Sequence, residues 1–190
     1  MRLLVVVDMQ NDFINGALGF EEASEIVPLI KQKVEEYLQD DQLVLFTQDT
    51  HYDSTQSRTG YTVTREGRHL PVEHCIYKTE GWKIHKQFKP YLLGCFLHSK
   101  IDRFGLNHYD LENLCNVKTC LCDQPIEEIE IVGLVTNICV ISCAISLQNY
   151  FNNAEITIDA ACCRSFNKEL HEKALDVMEG LQMKIINRNV

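Results

Sequence analysis

The sequence predicts an α/β fold, a mostly parallel six-stranded sheet with helices on both faces. Two observations carry this. Short apolar runs alternate with segments of helical period along the chain, which is the pattern of strand–helix–strand units in a parallel sheet. The first of those runs, Leu3 to Val7, is continuous rather than alternating, as in a strand buried on both sides.

Each element has its own signal. After Leu3–Val7, Ser24 is placed to cap a helix running to about Leu38. Ile26, Ile30, Val34 and Leu38 recur along it at one spacing, with Val27 beside them. Leu43 to Thr47 reads as the second strand. A long irregular stretch comes next, from about Gln48 to His85, holding Gly60, Gly67, Pro71 and Gly81; loops of that length in compact domains are usually functional. Gly94 to Ser99 is the third strand and Ile129 to Val132 the fourth, with a helix from Asn137 to Tyr150 behind it. Glu155 to Ile158, a helix from Lys168 to Glu179, and Met183 to Ile186 complete the set. No repeat or linker divides the 190 residues, so a single domain over 1–190 is expected.

Composition narrows the function. The chain is 45% hydrophobic and 24% charged, with a net charge of -9. No Lys/Arg stripe is present, which argues against nucleic acid as a partner. No apolar segment approaches a membrane span, and the apolar run at the N-terminus stops at Asp8, too short for an export signal. Nine cysteines are then expected as reduced thiols in a cytoplasmic protein.

Ligands of such sheets bind outside the carboxyl ends of the strands. Those ends are expected to carry Asp8, Asp49, Lys100, the loop Gly133–Thr136 and Asp159. Cys139 stands in the first turn of the helix after the fourth strand, where the helix dipole favours a thiolate and backbone N–H groups can hold an oxyanion. Set among Ile138, Val140, Ile141 and Cys143, it reads equally as a core thiol. Asp8, partly desolvated at a strand end, has the raised pKa of a general base, or caps the next segment of chain. Lys100 ends a strand and either holds that aspartate or is an ordinary surface lysine. Asp49 and His51, with His74 and Glu66 in the irregular stretch, offer a ligand set suited to Zn²⁺, Fe²⁺ or Mn²⁺; scattered histidines are the alternative. Cys115, Cys120 and Cys122 with His108 form a second group whose spacing fits no standard zinc pattern.

Taken together these motifs resemble the isochorismatase-like cysteine hydrolases, and among them the nicotinamidase/pyrazinamidase group, across nearly the whole chain. Val6-Val7-Asp8-Met9-Gln10-Asn11-Asp12-Phe13 is similar to the family's opening strand with its catalytic aspartate. Phe46-Thr47-Gln48-Asp49-Thr50-His51 is similar to its metal-binding strand end. Pro71-Val72-Glu73-His74-Cys75 followed by Thr79-Glu80-Gly81 resembles its Pro-x-His-Cys and Thr-x-Gly. Lys100 with Asp102-Arg103-Phe104 resembles its lysine motif, and Gly133 to Val140 its nucleophile loop.

The resemblance implies a doubly wound sheet, a homo-oligomer, and a cis peptide mapping to Leu134–Val135 that aims the Val135 and Cys139 N–H groups at one oxyanion. It implies catalysis by Asp8, Lys100 and Cys139 on a small-molecule amide, most closely nicotinamide. It also implies a divalent metal, zinc foremost, on Asp49, His51, His74 and Glu66, and a substrate wall of Phe13, Leu70 and Phe104. Two departures bear on the substrate. Ser54, Thr55, Gln56 and Ser57 stand where many nicotinamidases carry a further histidine, and Leu70 replaces an aromatic before a Pro71–His74 spacing one residue longer than usual. A metal-independent hydrolase of a carbamoyl or linear amide (ureidoacrylate or N-carbamoylsarcosine type) is the alternative enzyme. A binding protein on the same fold is the alternative of another class.

Overall fold

A computed structural model describes residues 1–55, 60–119 and 125–188, and in the fourth helix the side chains as far as Leu114. The elements in order are β1 (Arg2–Val7), α1 (Asn11–Ile14), α2 (Glu21–Gln39), β2 (Leu43–Thr50), α3 (Arg65–His69), β3 (Phe96–Ile101), α4 (His108–Thr119), β4 (Glu128–Leu134), α5 (Ile141–Tyr150), β5 (Glu155–Arg164), α6 (Lys168–Gly180) and β6 (Lys184–Ile186). Two 3₁₀ segments, Tyr61–Val63 and Lys86–Gly94, and a π-helical turn, Thr136–Val140, complete them.

The six strands form one sheet in the order β3-β2-β1-β4-β5-β6. Every pairing is parallel, so the expected mostly parallel sheet is wholly so. The continuous apolar run of β1 is explained by its central place. Leu3, Val5 and Val7 join a core with α5 and α6, while Leu4 and Val6 join the opposite core under α2. All five are fully buried. Strand order reverses direction between β1 and β4, the position at which open parallel sheets form a crevice for ligands.

Several boundaries differ from the sequence reading, each for a physical reason. The long helix α2 begins at Glu21 rather than at Ser24. Ser24 Oγ instead donates to the Glu21 carbonyl, 2.8 Å away, inside the first turn. Glu21 and Glu22 there suit the positive end of the helix dipole. The fifth strand does not stop before Asp159 but continues to Arg164. Asp159 therefore lies mid-strand, away from the sheet's carboxyl edge, bonded to Lys33 of α2 at 2.8 Å and to Asn187 Nδ2 at 3.1 Å. Lys100 lies within β3, paired in register with Asp49. The nucleophile-loop helix opens with the π turn rather than an α turn, and α5 starts only at Ile141. The π turn accounts for Val135 accepting from both Ile138 N (3.0 Å) and Val140 N (3.2 Å).

Among the described residues the six cysteines with described side chains are free thiols, and no helix is long and apolar enough to cross a membrane. Of the candidate group, Cys120 and Cys122 lie outside the described residues, as does the side chain of Cys115. His108, the group's fourth member, packs its ring on Tyr150 at 5.2 Å.

Candidate active site

The backbone first brings β1 and β4 together. Gly133 pairs with Val7 and has a φ of 119°, and a Cβ there would collide with the Val7 carbonyl oxygen; only glycine allows this approach. The chain leaves β4 through a cis Leu134–Val135 peptide, the bond the resemblance implies. Thr136, buried, is held from the other side by His171 Nδ1 at 2.8 Å. Asp8 leaves β1 in the left-handed region, φ 49°, which aspartate tolerates better than most residues.

Asp8 and Lys100 are both fully buried, and the Lys100 ammonium donates to Asp8 Oδ2 at 2.6 Å. Lys100 Nζ also donates to the Phe104 carbonyl at 2.8 Å. Thr47 Oγ1 donates to Asp8 Oδ1 at 2.6 Å, and its oxygen lies 3.2 Å from the Asp8 backbone N–H, which donates to it. Thr47 thus holds Asp8 by one carboxylate oxygen and by its backbone, a role sequence reasoning missed. The signal was available: Thr47 and Asp49 alternate onto one face of β2. Burial pushes the Asp8 carboxyl above the usual carboxylate range, against the pull of Lys100. Burial opposes the charge on Lys100, but Asp8 outweighs it and holds the ammonium protonated.

Cys139 lies in the π turn, 5% exposed, near enough to Lys100 and Asp8 to feel both charges. The expected lowering of its pKa is not found. Burial raises the thiol well above its ordinary range, and the attraction of Lys100 does not offset it. The resting group is therefore a thiol, and a base is needed to ionise it.

The four candidate metal ligands converge. One donor atom from each of Asp49, His51, Glu66 and His74 lies within 4.8 Å of the others. His51 Nε2 is 3.0 Å from Asp49 Oδ2 and 3.7 Å from Glu66 Oε2; His74 Nε2 is 3.4 Å and 3.5 Å from the same two side chains. The outer ring nitrogens are already engaged, His51 Nδ1 with Asp102 at 2.8 Å and His74 Nδ1 with the Val72 carbonyl at 2.8 Å. Both rings are therefore turned so that Nε2 faces the cluster, as metal-bound histidines are held by their second nitrogen. Two nitrogens and two carboxylates fit a divalent ion such as zinc. Asp102 was visible in the lysine motif but carried no role there. Fully buried Tyr61, also missed, packs edge-on against both imidazoles at 4.8 and 5.2 Å.

The expected substrate wall divides. Leu70 and Phe104 line one cavity of about 300 Å³ with Arg65, Glu66, His69 and Ile138. Phe13 is buried and packs edge-on against His74, with ring centroids 5.4 Å apart; it is not among the residues lining that cavity. The cavity touches the metal group through Glu66, the chain beside Cys139 through Ile138, and the Lys100 loop through Phe104.

Comparison with known proteins gives the family and the fold. An isochorismatase domain model matches residues 2–189. A nicotinamidase of Schizosaccharomyces pombe is 24% identical, covering 97% of this chain and 92% of its own length. The Escherichia coli nicotinamidase is 26% identical, covering 94% and 90%. The crystal structure of a Bacillus subtilis nicotinamidase superposes with a TM-score of 0.78 at 27% identity, over 97% of this chain and 98% of that one. A Pyrococcus horikoshii pyrazinamidase solved in complex with zinc shares the fold, with a TM-score of 0.74 at 23% identity over 97% and 98%.

Proposed function

The chain belongs to the isochorismatase family, and on that premise we propose that it is a cysteine amidohydrolase that converts a small amide, nicotinamide foremost, to the carboxylate and ammonia. The observation that carries this reading is the fully buried Asp8–Lys100 pair, 2.6 Å apart, placed beside Cys139 and next to four convergent metal ligands. A carboxylate and an ammonium buried together cost stability unless they serve a purpose, and the carboxyl end of a parallel sheet is where such folds place their ligands.

Asp8 takes the Cys139 proton as the sulfur attacks the amide carbon. Its raised pKa suits it to hold that proton. Lys100 keeps its charge throughout and stabilises the anionic forms on either side of the transfer. Backbone N–H groups of Val135 and Cys139 receive the oxyanion. Asp8 then passes the proton to the leaving nitrogen, ammonia departs, and a thioester remains on Cys139. Water, deprotonated by Asp8, cleaves the thioester to the carboxylic acid and restores the thiol. Asp49, His51, Glu66 and His74 would hold the divalent ion, zinc foremost, which when bound supplies a Lewis-acid site for a ring nitrogen. Leu70, Phe104 and Ile138 receive the carbon skeleton.

The test is ammonia release from nicotinamide, benzamide and ureidoacrylate, with and without a chelator. Nicotinamide is expected to lead benzamide by about 100-fold in kcat/KM, the worth of one coordination contact of a few kcal/mol. Equal rates on both, insensitive to chelator, defeat the pyridine reading. A clear preference for ureidoacrylate moves the assignment to the carbamoyl amides.

A further inference from the structure

The cavity that joins Glu66, Phe104 and Ile138 contains a cation that the reaction above does not use. Arg65, exposed at the start of α3, lines it, with its guanidinium carbon 5.8 Å from the centroid of the Phe104 ring. Every other described arginine has an acceptor. Arg2 bonds Asp40, Arg103 bonds Asp110, and Arg188 bonds Glu172 and Asp176. Arg68 donates to the Val63 carbonyl, and Arg164 to the Ala160, Ala161 and Cys163 carbonyls. The Arg65 guanidinium alone has no hydrogen bond or ion pair among the described residues.

We infer that Arg65 is a specificity-determining residue, and that among amides lacking a metal-binding ring nitrogen it favours those carrying a carboxylate on the part of the molecule away from the scissile amide. The inference rests on the reading that this cavity receives the amide. Three physical points favour it. A guanidinium presents a planar fork that matches a carboxylate in two parallel hydrogen bonds, and here the fork is free. Contact with the Phe104 face limits the directions the long side chain can take, so less freedom is lost on binding. The chain as a whole carries a net charge of -9 and repels anions at long range. A local cation at the cavity is what would offset that field for an anionic substrate, while a neutral amide has no use for it. Leu70, Phe104 and Ile138 between them offer the apolar surface for a short chain or a ring joining the two polar ends.

The experiment uses metal-loaded protein and two matched pairs of amides: 4-carbamoylbenzoate with benzamide, and succinamate with butyramide. In wild type the anionic member of at least one pair is expected to be preferred in kcat/KM. Arg65→Gln should lower the anionic-to-neutral ratio for that pair about tenfold, mainly through KM, the worth of one partly exposed charge-assisted contact. Arg65→Lys should restore part of it. Binding of the same pairs to Cys139→Ala protein, followed by calorimetry, reads the preference without turnover. A charge preference in binding that Arg65→Gln removes, with no turnover of any amide by wild type, upholds the role of Arg65 and sinks the hydrolase reading instead. The same anionic-to-neutral ratio in wild type and Arg65→Gln, in both turnover and binding, overturns the inference, as does failure of both anionic amides to bind at millimolar concentration.

Discussion

At the scale of single residues, the chemistry turns on where protons rest before substrate arrives. Cys139 is a thiol pushed up by burial, and Asp8 is a carboxyl pushed up by the same cause. A group whose pKa lies above the working range reacts in proportion to its small ionised fraction. Alkylation of Cys139 by iodoacetamide, followed by mass spectrometry of its peptide, should therefore rise about tenfold per pH unit from 7 to 9 without levelling off. A plateau below pH 8 would mean a preformed thiolate and sink this account of the resting state. Lys100→Met makes a second case. It leaves Asp8 fully buried without its cation, and removal of one partner of a buried pair costs about 3–5 kcal/mol. Asp8 has a folded-state pKa above its unfolded value, so protonation stabilises the folded form, and that contribution is lost as pH rises through the folded pKa. The stability gap between Lys100→Met and wild type in urea should accordingly narrow as pH is lowered from 8 towards 5. A gap that widens on acidification contradicts the assignment of the raised pKa to Asp8.

At the scale of elements, the end of β3 orients a ligand carried by the end of β2. Asp102, just past β3, receives His51 Nδ1 at 2.8 Å, and its backbone N–H donates to the Thr50 carbonyl at 3.1 Å. Asp102→Ala should weaken zinc binding about 10–100-fold, measured by competition with a chromophoric chelator, while leaving all four ligands in place. Unchanged affinity would show that the ring is oriented without it. This arrangement also explains what could be read from the sequence. Asp49, His51, Glu66 and His74 were legible as ligand types, and the strands behind them as apolar runs. The supports were not, because Thr47, Asp102 and Tyr61 act across strands and loops, through contacts that spacing along the chain does not encode. Helix α4 was missed for a different reason. Its described core contacts are only Leu111 and Leu114, too few to print a helical period. The fifth strand looked shorter than it is because Asp159 reads as a strand end; Lys33, a residue of a distant helix, is what makes an acid tolerable in its middle.

At the scale of the whole molecule, the metal group is where a long segment of little regular structure is fastened to a rigid sheet. Asp49 and His51 come from β2 and the residue after it, whereas Glu66 lies in the single turn of α3 and His74 in the irregular chain beyond. Apart from these ligands, the described residues between Tyr52 and Glu73 meet the rest of the protein through Tyr61 under the imidazoles, the Tyr52 ring against Tyr77 and Arg65 over the Phe104 ring. The chain from Cys75 to His85, by contrast, is tied to β1, α1 and β2 by the Cys75 N–H on Asp12 at 2.7 Å, the Asp12 N–H on Gly81, the Asn11 N–H on Lys83, Gln10 and Gln48 on the Trp82 carbonyl, and a bridge between Gln10 and Ile84. The sheet and its two cores do not depend on the part before His74 in the same way, because their apolar contacts lie on the strands, the helices over them and the Cys75–Ile84 end of the segment. A metal that binds only the folded form stabilises it by about 4 kcal/mol when present at a thousandfold excess over its dissociation constant. For a chain of this size that corresponds to about 8–16 °C in Tm, at roughly 2–4 °C per kcal/mol. Removing the metal should lower Tm by an amount of that order. Limited proteolysis of the chelated protein should cut first between Tyr52 and His74, where local opening no longer has to release the ion. Adding zinc back should restore both the Tm and the protection, and Glu66→Gln should restore them only in part. Chelated and zinc-treated protein with the same Tm and the same first cleavage site would mean that the four side chains hold the segment by their own hydrogen bonds, and that the ion fastens nothing.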